Sequence, residues 1–136
     1  MTAIRLWNAP AIRADPEAKK RLRKAIELIL DFYGFEFADA RTGALRCTAG
    51  CEARFASLNT AFNHNFMRIS RVLCCLSSTG WEHLVMPLLE SLYEEVYVTG
   101  RLACCAQSFA SHWVRMIGDG WEETARRQFP KVFAGS

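Results

Sequence analysis

No run in this 136-residue chain is long and apolar enough to cross a membrane. An uncharged stretch reaches 13 residues at most, as in Leu102–Val114, which holds Gln107, Ser108, Ser111 and His112. A helical span needs about 20 mostly apolar residues. No signal peptide is visible, because Arg5, Arg13 and Asp15 interrupt any apolar start. Charge of one sign is also scarce. Seventeen basic and 14 acidic residues leave +3, too little to require a nucleic-acid partner. Six cysteines are too few for a disulfide scaffold. With no secretory signal they are expected reduced, in an intracellular protein.

Catalytic patterns are missing too. There is no phosphate-loop glycine pattern, and Gly118-Asp119-Gly120 has no strand before it, as a dinucleotide fingerprint requires. No serine sits in a nucleophile elbow. Cys47 and Cys51 followed by His64 suggest zinc, but the second cysteine or histidine pair of a zinc site is absent. Thiols and imidazoles coexist without any spacing that selects a pair. The expectation is a non-enzymatic chain with no cofactor and no metal.

What is there is helix. Hydrophobic residues are 51% and charged residues 23%, ordinary for a globular fold. Asp15-Pro16-Glu17 starts a helix: Asp15 can cap it, and Pro16 fits its first position. It runs to Tyr33, where Gly34 allows a left-handed stop. Leu22, Ile26, Ile29 and Tyr33 form its apolar face, widened by Ala25, Leu30 and Phe32. Lys20, Arg23, Lys24, Glu27 and Asp31 form the solvated face. Phe35–Phe37 and Ala44–Arg46 flank a bend at Asp39–Gly43, which predicts a β-hairpin laid on the helices.

Glu52–Phe62 reads as a second helix with Phe55, Leu58 and Phe62 inward. A third runs through Leu76, with Phe66, Ile69, Leu73 and Leu76 inward and His64, Arg68, Arg71 and Cys75 on the opposite stripe. Pro87 marks a kink or restart after Trp81–Met86. The helix beyond it, to Val98, buries Leu88, Leu89, Leu92 and Val96, with Glu90, Glu94 and Glu95 pointing elsewhere. Arg101–Ile117 buries Leu102, Cys105, Phe109, Trp113 and Met116. Asp119-Gly120-Trp121-Glu122 predicts a capping box for a last helix to about Gln128. With no repeat or linker, residues 1–136 form a single mainly α domain of about five to six helices with a small hairpin after the first.

The most specific local pattern is Asn63-His64-Asn65 followed by Arg68 and Arg71. A helix start attracts anions, and arginine offers a planar fork. His64, Arg68 and Arg71 would then hold a phosphate or carboxylate. The structural alternative has asparagine capping the helix and the arginines pairing with Glu82, Glu90 or Glu94.

These segments together resemble the conserved region of the opioid growth factor receptor family. The resemblance is carried by Leu30-Asp31-Phe32-Tyr33-Gly34, Thr42-Gly43, Glu52-Ala53-Arg54-Phe55, Asn63-His64-Asn65, Arg68 to Leu73, and Gly80-Trp81-Glu82-His83 before Pro87-Leu88. It covers about Asp15 to Glu95. It implies a helical binding or regulatory module. For the receptor it implies binding of an enkephalin peptide and control of growth at the nucleus. The family's usual aromatic opening is replaced here by Leu6-Trp7-Asn8-Ala9-Pro10. A thinner opening predicts an apolar patch near Trp7, the first helix and Trp81, covered by another chain. The expected binding residues are thus Asn63, His64, Asn65, Arg68, Arg71, Trp7 and Trp81. Two further roles stay open: a small accessory structural subunit of a larger protein or ribonucleoprotein assembly, and an anion- or phosphate-binding domain using His64, Arg68 and Arg71.

Overall fold

Asp15 does what its position predicts. Its side chain accepts hydrogen bonds from the backbone N–H groups of Glu17 and Ala18, at 3.0 and 3.3 Å, in a computed structural model that describes residues 9–134. Pro16 opens helix α2 (Pro16–Phe32), and Gly34 turns the chain at φ 97°. A side chain there would also meet Phe55, since a Cβ would lie 2.9 Å from its ring. Leu22, Ile26, Leu30 and Tyr33 are buried, but Phe32 is 53% exposed. It falls one residue beyond the buried stripe, so the apolar face is narrower than the sequence suggests.

A short helix, α1 (Ala9–Ala14), precedes α2 and packs on it and on α4 (Asn65–Ser78). The hairpin follows α2, the helix that Asp15 caps, as the sequence predicts. Its strands, β1 (Phe35–Phe37) and β2 (Leu45–Cys47), pair antiparallel with Phe35 opposite Cys47. Asp39 shapes the bend by accepting from Arg41 N at 2.8 Å. At Gly43, φ is 83° and a Cβ would lie 2.5 Å from a Leu84 methyl, which seats the hairpin on the helices.

Helix α3 (Cys51–Leu58) ends four residues earlier than expected. Phe62 is not core: it has φ 58° and is fully exposed. Helix α4 keeps its predicted inward face of Phe66, Ile69, Leu73 and Leu76, and adds Val72. Cys75, expected on its outer stripe, is half-buried against the core. After a 3₁₀ turn (Glu82–Leu84), α5 (Val85–Tyr93) carries Pro87 in its first turn, where a missing N–H costs no helical bond. A π turn (Glu94–Val98) extends α5.

The predicted helix over 101–117 is a composite: a 3₁₀ turn (Ala103–Cys105), α6 (Ala106–Ser108), a π turn (Phe109–Trp113) and a 3₁₀ turn (Val114–Ile117). It buries Leu102, Cys105, Phe109 and Trp113 as expected. Val114 replaces Met116 in the deepest layer, because the π turn adds a residue and rotates the face. Trp113 Nε1 donates to Ser70 Oγ at 2.9 Å, so this fully buried indole leaves no polar group unpaired. Helix α7 (Trp121–Gln128) completes seven α-helices among the described residues. Its cap is Gly120 in the left-handed conformation, not an Asp119 side chain. Phe129 then closes the core against Tyr93 and Phe109.

Candidate functional site

Asn63 joins α3 to α4. Its Nδ2 donates to Ser57 O and Leu58 O, each at 3.2 Å, and to Thr60 Oγ1 at 2.9 Å. Its Oδ1 accepts from Asn65 N at 2.9 Å. Asn65 Oδ1 in turn accepts from Tyr33 Oη and Arg68 Nη1, at 3.3 and 3.2 Å. The two asparagines thus brace a corner shared by α2, α3 and α4, and that corner holds the Phe62 ring out in solvent. His64, Arg68 and Arg71 are exposed on α4 and at its entry. Neither arginine makes the expected pair with Glu82, Glu90 or Glu94, and Glu82 pairs with Arg13 instead. No Asp or Glu occurs from Ala53 to Trp81, so nothing nearby in sequence neutralises this face.

Trp81 lies past the other end of α4, about 20 Å of helix away. Its Nε1 donates to Lys19 O at 3.1 Å. Lys19 Nζ sits 4.8 Å and the Arg23 guanidinium 5.2 Å from the ring. Arg23 also donates to Ala40 O at 2.6 Å and stacks on Phe37 at 4.2 Å, so it is half-buried rather than solvated. These cations cover Trp81. The exposed large apolar side chains among the described residues are Leu28 and Phe32 on α2, and Phe62, Met67 and Val98. Trp7 lies outside the described residues.

A second constellation, around Glu95 and Arg101, has no contiguous motif in the sequence. Glu95, expected to point away from the core, is 4% exposed. Arg101 clamps it with Nε on Oε1 at 2.7 Å and Nη2 on Oε2 at 2.8 Å. Thr99 Oγ1 donates to Oε1 at 2.6 Å, and the Cys47 thiol donates to Oε2 at 3.5 Å. Burial opposes the charge on Glu95, but the Arg101 and Thr99 hydrogen bonds outweigh it and hold the carboxyl below the usual range. The guanidinium stacks on Phe55 at 4.8 Å and reaches both Cys47 Sγ and Cys51 Sγ, at 3.5 and 3.8 Å. Burial, then the charge of Glu95 and the neighbouring Cys51, push the Cys47 thiol up to about 11. Cys47 and Cys51 do come together, but around a cation. No set of three or more His, Cys, Asp and Glu side chains among the described residues is placed to hold a metal. The signal available in sequence was spacing: Glu95 lies three after Leu92 and seven after Leu88, on the buried stripe.

Glu95 and Cys47 help to line a groove of about 540 Å³ between β2 and α5. Phe35, Leu45 and Pro87 supply apolar lining. Glu90 and Glu94 line the α5 side, and Arg46 and Thr42 the hairpin side. Arg46 is paired with Glu36 at 2.7 Å, which leaves the groove acidic on balance.

The profile of the family described as "Opioid growth factor receptor (OGFr) conserved region" matches residues 3–134. The opioid growth factor receptor of Rattus norvegicus is 35% identical over 82% of this chain and 19% of its own length. The opioid growth factor receptor-like protein 1 of Xenopus tropicalis is 34% identical over 76% of this chain and 20% of its own. The opioid growth factor receptor of Homo sapiens is 32% identical over 82% of this chain and 16% of its own. The chain thus spans about a fifth of the length of these relatives. No solved structure matches it significantly. The asparagine corner, the hairpin and the Trp81 turn all lie within the matched residues, and the chain belongs to the opioid growth factor receptor conserved-region family.

Proposed function

We propose that the chain is a non-enzymatic binding module that takes a short extended peptide in the groove between β2 and α5. The supporting observation is the groove: its volume of about 540 Å³ lies within the roughly 300 to 1,000 Å³ of ligand pockets. Strand β2 is an edge strand of a two-stranded sheet, and an edge can accept a further strand through backbone hydrogen bonds. The carboxylates of Glu90 and Glu94 suit an ammonium group. The relatives' name supplies the probe, and growth regulation would follow from such binding.

Calorimetric titration of the full chain with an enkephalin pentapeptide tests this reading. Saturable binding is expected, with about tenfold weaker affinity for the N-acetylated peptide and for Glu94→Gln, the effect of roughly 1.4 kcal/mol. Absence of heat at millimolar peptide overturns it.

The fully exposed Phe62, held at φ 58° beside a face without carboxylates, favours a second reading. Here Phe62 and Met67 are apolar anchors, and His64, Arg68 and Arg71 meet acidic groups of a protein partner in a larger assembly. Affinity purification of the tagged full chain from its native source should retain a stoichiometric partner that Phe62→Ser releases. Equal retention by Phe62→Ser, and by Arg68→Lys with Arg71→Lys, defeats it.

A further inference from the structure

We propose that Cys47 and Cys51 form a dithiol site that closes to an intramolecular disulfide by exchange with a small disulfide such as oxidised glutathione. The two cysteines stand at the junction of β2 and α3. Cys47 ends the strand, Cys51 begins the helix, and a turn closed by Cys51 N donating to Thr48 O at 3.1 Å brings them together. One guanidinium contacts both sulfurs, at 3.5 and 3.8 Å. The other cysteines lack this arrangement. Cys74–Cys75 and Cys104–Cys105 are adjacent in sequence, and neighbouring side chains on a helix diverge by about 100°.

Access fixes the order of steps. Cys47 lines the groove and is half-buried, whereas Cys51 is 7% exposed. The Cys47 thiolate attacks one sulfur of the small disulfide and expels a small thiolate. Cys51 then attacks Cys47 Sγ in the mixed disulfide and expels the second. The two protein thiols lose two electrons, the small disulfide gains them, and both thiol protons end on the departing thiols. Arg101 lies beside both sulfurs and keeps them on one side of the turn. Burial and Glu95 oppose ionisation of Cys47, so exchange is slow and equilibrium, rather than speed, selects the pair.

Closure leaves no buried group stranded. Oxidation removes the Cys47 donor to Glu95, but that carboxylate keeps Thr99 and both arms of Arg101. Cys47 also lines the groove, so the test is run on the chain without peptide.

The sequence makes the test direct. Cleavage after Arg46 and Arg54 releases the peptide 47–54, which holds these two cysteines and no other. The full chain is equilibrated in glutathione buffers of graded ratio, natively and in urea, then acid-quenched, alkylated, digested and weighed. The expected result is loss of two hydrogens from peptide 47–54, with an equilibrium constant at least about tenfold larger in the native protein than in urea, because the fold holds the thiols together. Cys51→Ser should trap a glutathione adduct at Cys47, since the resolving thiol is gone. Two alkyl groups at every ratio, two glutathiones on the peptide, an equal constant in urea, or no adduct in folded Cys51→Ser overturns the proposal. If Cys51→Ser does not fold, the native-against-urea comparison decides alone.

Discussion

Arg71 and Arg101 are both charged residues at helical segments, and their surroundings are opposite. Arg71 belongs to the most conspicuous motif of the chain, yet it lies exposed, and no carboxylate among the described residues forms an ion pair with it. Arg101 follows an unremarkable Thr99-Gly100, yet it gathers Glu95, Cys47, Cys51 and Phe55 into one cluster around a buried carboxylate. The Asn63 corner is local: its hydrogen bonds span six residues or fewer, apart from the tie to Tyr33. In the Arg101 cluster the Glu95 contacts span four to six residues, but the ties to Cys47 and Cys51 reach across 48 to 54 residues. A local pattern marks how the backbone turns, while the buried polar chemistry depends on the tertiary fold.

The strongest way to break this contrast is to truncate the two arginines. Arg101→Ala leaves a buried carboxylate without its main partner, and with that partner 37% exposed the loss should be about 1 to 3 kcal/mol in urea denaturation. Arg71→Ala should change stability by less than about 0.5 kcal/mol. Glu95→Ala should cost less than Arg101→Ala, because the Arg101 side chain is 37% exposed and can turn to water, whereas that of Glu95 is 5% exposed. The pH dependence carries a sign. The folded carboxyl of Glu95 is held below its ordinary value, so its contribution is present above the unfolded value of about 4.3. It is lost as pH falls through the folded value. The gap between wild type and Arg101→Ala should therefore narrow below about pH 4. A gap that stays constant to pH 3 would mean that Glu95 is not the group left stranded.

At the corner, Asn63→Ala removes one acceptor and one donor group that together make four hydrogen bonds. Because two of the four are exposed to water, the expected loss is about 1 to 2 kcal/mol. His64→Ala, one residue along, should be near neutral. Equal losses at both positions would contradict the bracing role of Asn63.

The local part of the fold was legible in the sequence. Asp15-Pro16 and Gly34 bound α2, and the hairpin appears with its second strand displaced by one residue. Spacing in α4 names its inward face correctly. What failed were positions where a face depends on what packs against it. Phe62 looked like a third inward residue of α3, but the helix stops at Leu58 and the chain turns left-handed. Glu95 looked solvated because its partner lies in the next segment. The π turns over Glu94–Val98 and Phe109–Trp113 add residues that a 3.6-residue period does not anticipate, and Met116 was displaced for that reason. Of the site, Asn63, His64, Asn65, Arg68 and Arg71 fall together, Trp81 is distant, and the acidic groove had no local signature.

The cap of α2 gives a smaller effect on the legible side of the contrast. Asp15→Ala should cost about 0.5 to 2 kcal/mol, since two backbone donors lose their acceptor. Asp15→Asn should recover most of it, because asparagine caps nearly as well. An unchanged urea midpoint for Asp15→Ala would remove the cap from the account of why α2 starts there.

The smallest effect has the opposite sign and bears on the corner most directly. Phe62 adopts φ 58°, a left-handed conformation that costs an ordinary residue roughly 1 to 2 kcal/mol, whereas asparagine tolerates it. Its ring is fully exposed, so replacing it forfeits no packing within the chain. Phe62→Asn should therefore raise stability by about 0.5 to 1 kcal/mol, read as a higher urea midpoint with an unchanged slope. The same substitution should weaken any partner that buries the ring. A gain in stability together with a loss of binding is the pattern expected of a strained side chain presented for contact. A loss of stability would mean instead that the ring packs against this chain, and the outward-facing corner would have to be abandoned.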